Sequence, residues 1–95
     1  MRWIIDGELY DTNEADLVAA WDNGHHCPHP HSCAESLYRT GQGRWFLWGV
    51  GGASSTWARR VGKDYVSGEG VRILTKQEAR RWCQERGVAA NVPLG

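Results

Sequence analysis

The chain has 95 residues, six of them Trp, and equal numbers of acidic and basic side chains. A chain of this length makes one domain with a modest core, since it buries only about 60–65% of its unfolded surface. Zero formal net charge removes the bulk positive charge that non-specific nucleic-acid binding draws on, and no apolar run approaches a membrane span.

The charge is unevenly spread. Residues 1–35 carry seven acids (Asp6, Glu8, Asp11, Glu14, Asp16, Asp22, Glu35) against one base, Arg2, and residues 36–95 carry ten bases against four acids. The two halves either neutralise each other in the fold or offer surfaces of opposite sign to partners. Residues 1–5 are too short for a signal-peptide core, and three Cys with no secretory context do not suggest a disulfide framework. The expectation is a cytoplasmic, reduced protein of a bacterial host.

In chain order, Trp3–Ile5 and Glu8–Tyr10 flank Asp6-Gly7, a two-residue hairpin signal. Asp11-Thr12-Asn13 supplies helix N-caps, Glu14 and Asp16 suit the positive end of a helix dipole, and Leu17, Val18 and Trp21 form an apolar stripe ended by Asn23-Gly24. These features predict a first helix with Trp21 in the core. Residues 24–32 read as a loop. Cys33–Arg39 and Arg44–Val50 read as a central hairpin about Thr40-Gly41-Gln42-Gly43. Ser54–Val61 reads as one or two helical turns, 62–70 as loop or a poorly formed strand, and Val71–Leu74 as a short strand. Thr75-Lys76-Gln77-Glu78 is a capping box, Ala79, Trp82 and Cys83 form a buried stripe, and Gly87 stops this last helix. The predicted fold class is α+β: a small antiparallel sheet of about four to five strands with two main helices, in a single domain over residues 1–87. Residues 88–95 are expected to be a mobile tail.

The second central strand is apolar on both alternating sides, Trp45 and Leu47 on one and Phe46 and Trp48 on the other. A small chain has little material to cover a sheet twice, so such a strand points to a face offered to a partner. With Arg39 set opposite Arg44, Glu35, Leu37, Phe46 and Trp48 share one face, and Tyr38, Trp45 and Leu47 share the other. Leu37 and Phe46 are then core, Trp48 is partly exposed beside Arg39 and Arg44, and Tyr38 and Trp45 lie on the partner surface. The expected partner-binding residues are Tyr38, Arg39, Arg44, Trp45 and Trp48.

Other constellations point elsewhere. The loop 25–33 holds His25, His26, His29 and His31 with Cys27 and Cys33, all of them zinc-ligand types. Structural zinc sites draw ligand pairs from separated segments, whereas these crowd one loop stiffened by Pro28 and Pro30; no metal and no other cofactor is expected. Cys83 reads as a buried thiol, and nothing fixes a Cys–His nucleophile at Cys27 or Cys33. Gly49–Ser55 follows a strand but lacks the Lys-Ser/Thr ending of a phosphate loop. Arg39, Arg44, Arg59, Arg60, Lys63 and Arg72 interleave with Tyr38, Trp45, Trp48 and Trp57, a pattern used on single-stranded nucleic acid.

Leu37-Tyr38-Arg39-Thr40, Gly43-Arg44-Trp45-Phe46-Leu47, Gly49, Gly51-Gly52-Ala53, Ser54-Ser55 and Trp57 resemble a family of small proteins of bacteria and their mobile elements with the pattern LYRTxxGxFFLxGxGGAxSxYA. Tyr10-Asp11-Thr12, Trp21–Gly24, Glu35 and Leu74–Trp82 agree with its flanks, so the resemblance spans about residues 8–86. Val50, Trp48 and Trp57 depart from the family's usual Glu, His or Tyr, and Tyr, and the His/Cys loop is not a feature of it. Proteins of this type turn up among anti-CRISPR candidates. The resemblance implies a non-enzymatic protein inhibitor that binds a CRISPR effector complex and blocks nucleic-acid access. The alternatives are a small nucleic-acid-binding module using the basic C-terminal half and a metal-binding regulator built on the loop 25–33.

Overall fold

The structure is a computed structural model that describes residues 2–26 and 29–90. Among these the chain forms eight strands and one helix: β1 (Arg2–Ile5), β2 (Glu8–Asp11), β3 (Asp16–Asp22), β4 (Cys33–Arg39), β5 (Trp45–Gly51), β6 (Arg59–Val61), β7 (Asp64–Val66), β8 (Gly68–Leu74) and α1 (Lys76–Arg86). Strands β3-β4-β5-β8 make one antiparallel sheet, and β1–β2 and β6–β7 are separate hairpins. The α+β expectation with two main helices is therefore corrected to a predominantly β fold with a single helix.

The first expected helix is the strand β3. Its cap chemistry exists but closes only a turn: Asp11 O accepts from Glu14 N and Ala15 N, and Asp11 Oδ1 accepts from Asn13 N at 2.9 Å. Beyond it the register of β3 against β4 shifts between Leu17 and Ala19. This β-bulge, the extra residue being Val18, turns Val18, Ala19 and Trp21 toward the same side. A bulged strand thus imitates the spacing of a helical stripe. Ser54–Val61, also expected to be helical, is a series of turns leading into β6, and residues 62–70 supply β7 and the start of β8.

Other local signals act as their chemistry requires. Asp6 and Gly7 both take positive φ, 52° and 79°, in the two-residue turn between β1 and β2. Thr75 Oγ1 accepts from Glu78 N, Glu78 Oε1 accepts from Thr75 N, and Gly87 ends α1 in the left-handed conformation. Val88 and Ala90, the start of the expected tail, pack against the core, and Val88 N donates to Cys83 O. Residues 91–95 lie outside the described residues.

One residue of loop length decides which side chains share a face of the central hairpin. Thr40 N donates to Arg44 O, Gly43 N to Thr40 O, and Gly43 has φ 83°, so the loop is 41–43 and Arg39 pairs with Trp45. The register expected from a four-residue turn, Arg39 opposite Arg44, is off by one, and such a slip exchanges the faces of one strand relative to the other. Glu35, Leu37, Trp45 and Leu47 face α1, where Ala79, Trp82 and Cys83 meet Val18, Ala19 and Leu37 in the core. Tyr38, Phe46 and Trp48 lie on the opposite face.

Gly49 on the helix-side face has no side chain because Trp57 lies there: a Cβ on Gly49 would come 1.9 Å from Trp57 Cε2. Gly49→Ala should therefore displace the Trp57 indole and cost about 3 kcal/mol. Urea unfolding of this variant, with Gly41→Ala as a control at a position open to solvent, measures the difference.

Candidate functional site

The two faces of the sheet have different chemistry. On the helix side, Glu35 is 2% exposed and lies among aromatic rings. Trp82 Nε1 donates to Glu35 Oε1 at 3.0 Å, Trp57 Nε1 donates to Oε2 at 2.8 Å, and Arg86 Nη2 donates to Oε1 at 2.9 Å. The Arg86 guanidinium also lies 4.2 Å from the centre of the Trp21 ring. Burial alone would raise the Glu35 pKa, but the hydrogen bonds from Trp82, Arg86 and Trp57 and the Arg86 charge outweigh it and hold the carboxyl below its usual range. Oε1 accepts from Trp82 and Arg86 and Oε2 from Trp57, so the carboxylate is held by structural donors on both oxygens. This cluster closes the helix side.

Among the described residues, the opposite face is covered only at its turn end. Tyr10 of β2 meets Phe46 edge-on with ring centres 5.5 Å apart, Tyr38 stacks on Phe46 at 5.2 Å, and Arg44 pairs with Glu8 at 3.0 Å. The hairpin β1–β2 is thereby fixed over the row Tyr38–Phe46. Two further rows cross all four strands without that cover: Ala20–Ser36–Trp48–Val71 and Asp22–Ala34–Val50–Glu69. Ser36, Trp48, Val71, Ala34 and Val50 are half-buried, and Ala20, Asp22 and Glu69 are exposed. Trp48 Nε1 donates to Glu69 Oε2 at 3.2 Å, which holds the indole against the sheet. Beside these rows is a cavity of about 690 Å³, bounded by Asp22, Ala34, Val50 and Glu69 of the sheet, by His25 on one side and by Arg59 on the other. The small residues Ala20, Ser36 and Ala34 make a floor, Trp48 and Val71 an apolar wall, and the two carboxylates lie toward the edges.

The expected binding residues separate accordingly. Tyr38 and Trp48 share the face opposite α1, Tyr38 in the row under the hairpin β1–β2 and Trp48 in the next, uncovered row. Trp45 is a correction: it is 6% exposed and belongs to the core, because the three-residue turn directs it toward α1. Arg39 is exposed with its guanidinium 5.7 Å from the centre of the Trp45 ring, so it caps the core on the other side, and Arg44 is engaged with Glu8. Ser36, Val50 and Val71 were not foreseen as surface residues; the register that unites them with Trp48 depends on the length of the turn.

The remaining constellations are placed as follows. Among the described residues no group of three or more His, Cys, Asp or Glu is arranged to hold a metal ion. Cys27, with Pro28, lies outside the described residues. The described residues of the loop contact one another instead: His25 and His29 stack at 4.2 Å, His29 Nδ1 accepts from His31 N, and Asn23 Oδ1 accepts from Cys33 N. The Cys33 thiol is pushed up by burial and by the Glu35 charge, and the Cys83 thiol by burial, so neither is poised as a nucleophile. Gly51 and Gly52 sit against Ser55 and the carbonyls of Ser32, His29 and Pro30, and turns rather than a helix follow them. The helix N-terminus that a phosphate loop requires is not there. No helix among the described residues is long and apolar enough to cross a membrane.

Comparison of the chain with protein-family models gave no match, and searches of curated proteins and of solved structures gave none.

The Glu35 cluster carries a pH signature. A carboxyl whose folded pKa is depressed stabilises the fold fully above its unfolded pKa, about 4.3, and loses that contribution as pH falls through the folded value. Melting temperature should therefore fall on acidification below about pH 5. Glu35→Gln should remove this part of the pH dependence and cost about 3–5 kcal/mol at neutral pH, because Arg86 loses its buried partner. Thermal melts of both proteins between neutral and acidic pH check the two expectations together.

Proposed function

We propose that the protein acts without catalysis, as an inhibitor that docks on another protein through the open half of the sheet. The observation that supports this reading is the pair of uncovered rows centred on Trp48, Ser36 and Val71, on the face left bare by the hairpin β1–β2. A flat surface with an anchored, half-exposed Trp, an apolar wall and a polar rim has the make-up of an interface hot spot. The sequence resemblance over residues 36–57 directs the choice of target to a CRISPR effector complex, whose access to nucleic acid the bound protein would block. The charge rim suits such a target, because Asp22 and Glu69 are exposed at the edges of the surface and proteins that handle nucleic acid are basic.

The test is binding of the purified protein to CRISPR effector complexes from a bacterial host, followed by two substitutions on the open face. Trp48→Ala should weaken binding by about 2 kcal/mol or more, and Ser36→Arg should obstruct docking on the flat floor, both with cooperative melting retained. Wild-type affinity in both variants would place the docking surface elsewhere.

A further inference from the structure

The hairpin β6–β7 meets the docking face at Arg59, and its other side, with Arg60 and Tyr65, is a surface that the docking face does not use. All residues from Arg59 to Tyr65 are exposed, including Arg59, Arg60 and Lys63. Tyr65 is 58% and Val61 53% exposed. Core packing therefore does not account for the side chains of this ribbon. The register sets Arg60 directly opposite Tyr65, and Val61 opposite Asp64, so the phenol and the guanidinium share one face and the Asp64 carboxylate takes the other. Arg60 Nε donates to Gly62 O at 3.0 Å, which orients the guanidinium and leaves its Nη groups for a ligand. Lys63 sits at the tip, beside Gly62 with φ 62°. Among the described residues no carboxylate makes an ion pair with Arg59, Arg60 or Lys63. The ribbon leads into β8, an edge strand of the sheet that carries the exposed Arg72.

We propose that the β6–β7 hairpin binds single-stranded nucleic acid, with Arg60 and Lys63 on successive phosphates and one base stacked on Tyr65. Cations without carboxylate partners give an exposed ribbon its attraction for a phosphate backbone. An exposed aromatic ring paired with an arginine adds a platform that a base can use only when it is free of a duplex. This interaction involves a different surface and a different class of partner from the docking face.

The experiment is fluorescence anisotropy with a labelled oligothymidylate of about 20 nucleotides and a duplex of the same length, beginning at about 50 mM salt, where phosphate contacts are strong. The wild-type protein should bind the single strand more tightly than the duplex, with affinity falling as salt rises. Arg60→Ala/Lys63→Ala should weaken binding about tenfold or more and reduce the salt slope by about 1.4, two contacts at about 0.7 each for a single strand. Tyr65→Ala should weaken binding about tenfold with the slope unchanged. All these side chains are exposed, so the variants should melt like wild type, and Ser36→Arg on the sheet should leave oligonucleotide binding unaltered. Absence of binding at about 50 mM salt, tighter binding to the duplex, or variants that bind as wild type would overturn the proposal.

Discussion

The hydrogen-bonded carboxylate of Glu35 is the constraint on which the helix side of the molecule depends. A charge 2% exposed is costly unless donors replace water, and these come from three separate places: Trp57 from the loop after β5, and Trp82 and Arg86 from successive turns of α1. Each donor then constrains something else. Trp57 can reach Glu35 only over the bare backbone of Gly49, with Gly70 close beneath its ring. Arg86 lies over Trp21 and so ties the edge strand β3 to the helix. A misplaced helix or a slipped strand would leave a buried charge without partners. The polar cluster therefore specifies one arrangement of β3, β4, β5 and α1 in a core too small to do so by apolar packing alone.

Where a signal lay within a few consecutive residues, the sequence was legible. Asp6-Gly7 and the set Thr75, Glu78 and Gly87 act locally, through positive φ and through caps that need no distant partner. The strand at Asp16–Asp22 was misread as a helix because its bulge sends Val18, Ala19 and Trp21 inward, a spacing that a helix also produces. The strands β4 and β5 were recognisable, yet their register turned on whether Thr40 belongs to the turn or to the strand. That single assignment decided that Trp45 is core and that Phe46 faces the other way. Glu35 was placed in a central strand, but nothing adjacent to it in sequence reveals its partners: Trp57, Trp82 and Arg86 are 22, 47 and 51 residues away.

The uneven charge of the sequence survives folding. Among the described residues, ion pairs join the halves at Arg44 with Glu8 and at Arg86 with Glu35. Both are structural, one fixing the hairpin β1–β2 and the other the helix. The strands β3 and β8 are the two edges of the sheet, so the last strand of the acidic segment and a strand of the basic segment are held apart by β4 and β5. The edge β8 carries Glu69 as well as Arg72, so the exposed positive charge of the second half is concentrated in the hairpin β6–β7 rather than along the sheet edge.

The edges themselves are poor places for another protein to add a strand. The bulge in β3 interrupts a regular edge, and Asp16 and Asp22 put charge at both of its ends. At β8, the chain entering the hairpin β6–β7 crowds the beginning of the strand, where a Cβ on Gly68 would meet Trp57 O at 2.4 Å and Arg59 N at 3.1 Å, and Arg72 projects from its middle. With both edges guarded and the helix side closed around Glu35, the uncovered rows of the second face are left as the broad surface of the sheet. Under the docking proposal, side-chain contacts to Trp48 and Val71, rather than backbone pairing, would carry recognition, and the proposed partner would need a surface that fits a wide floor of small residues beside an indole.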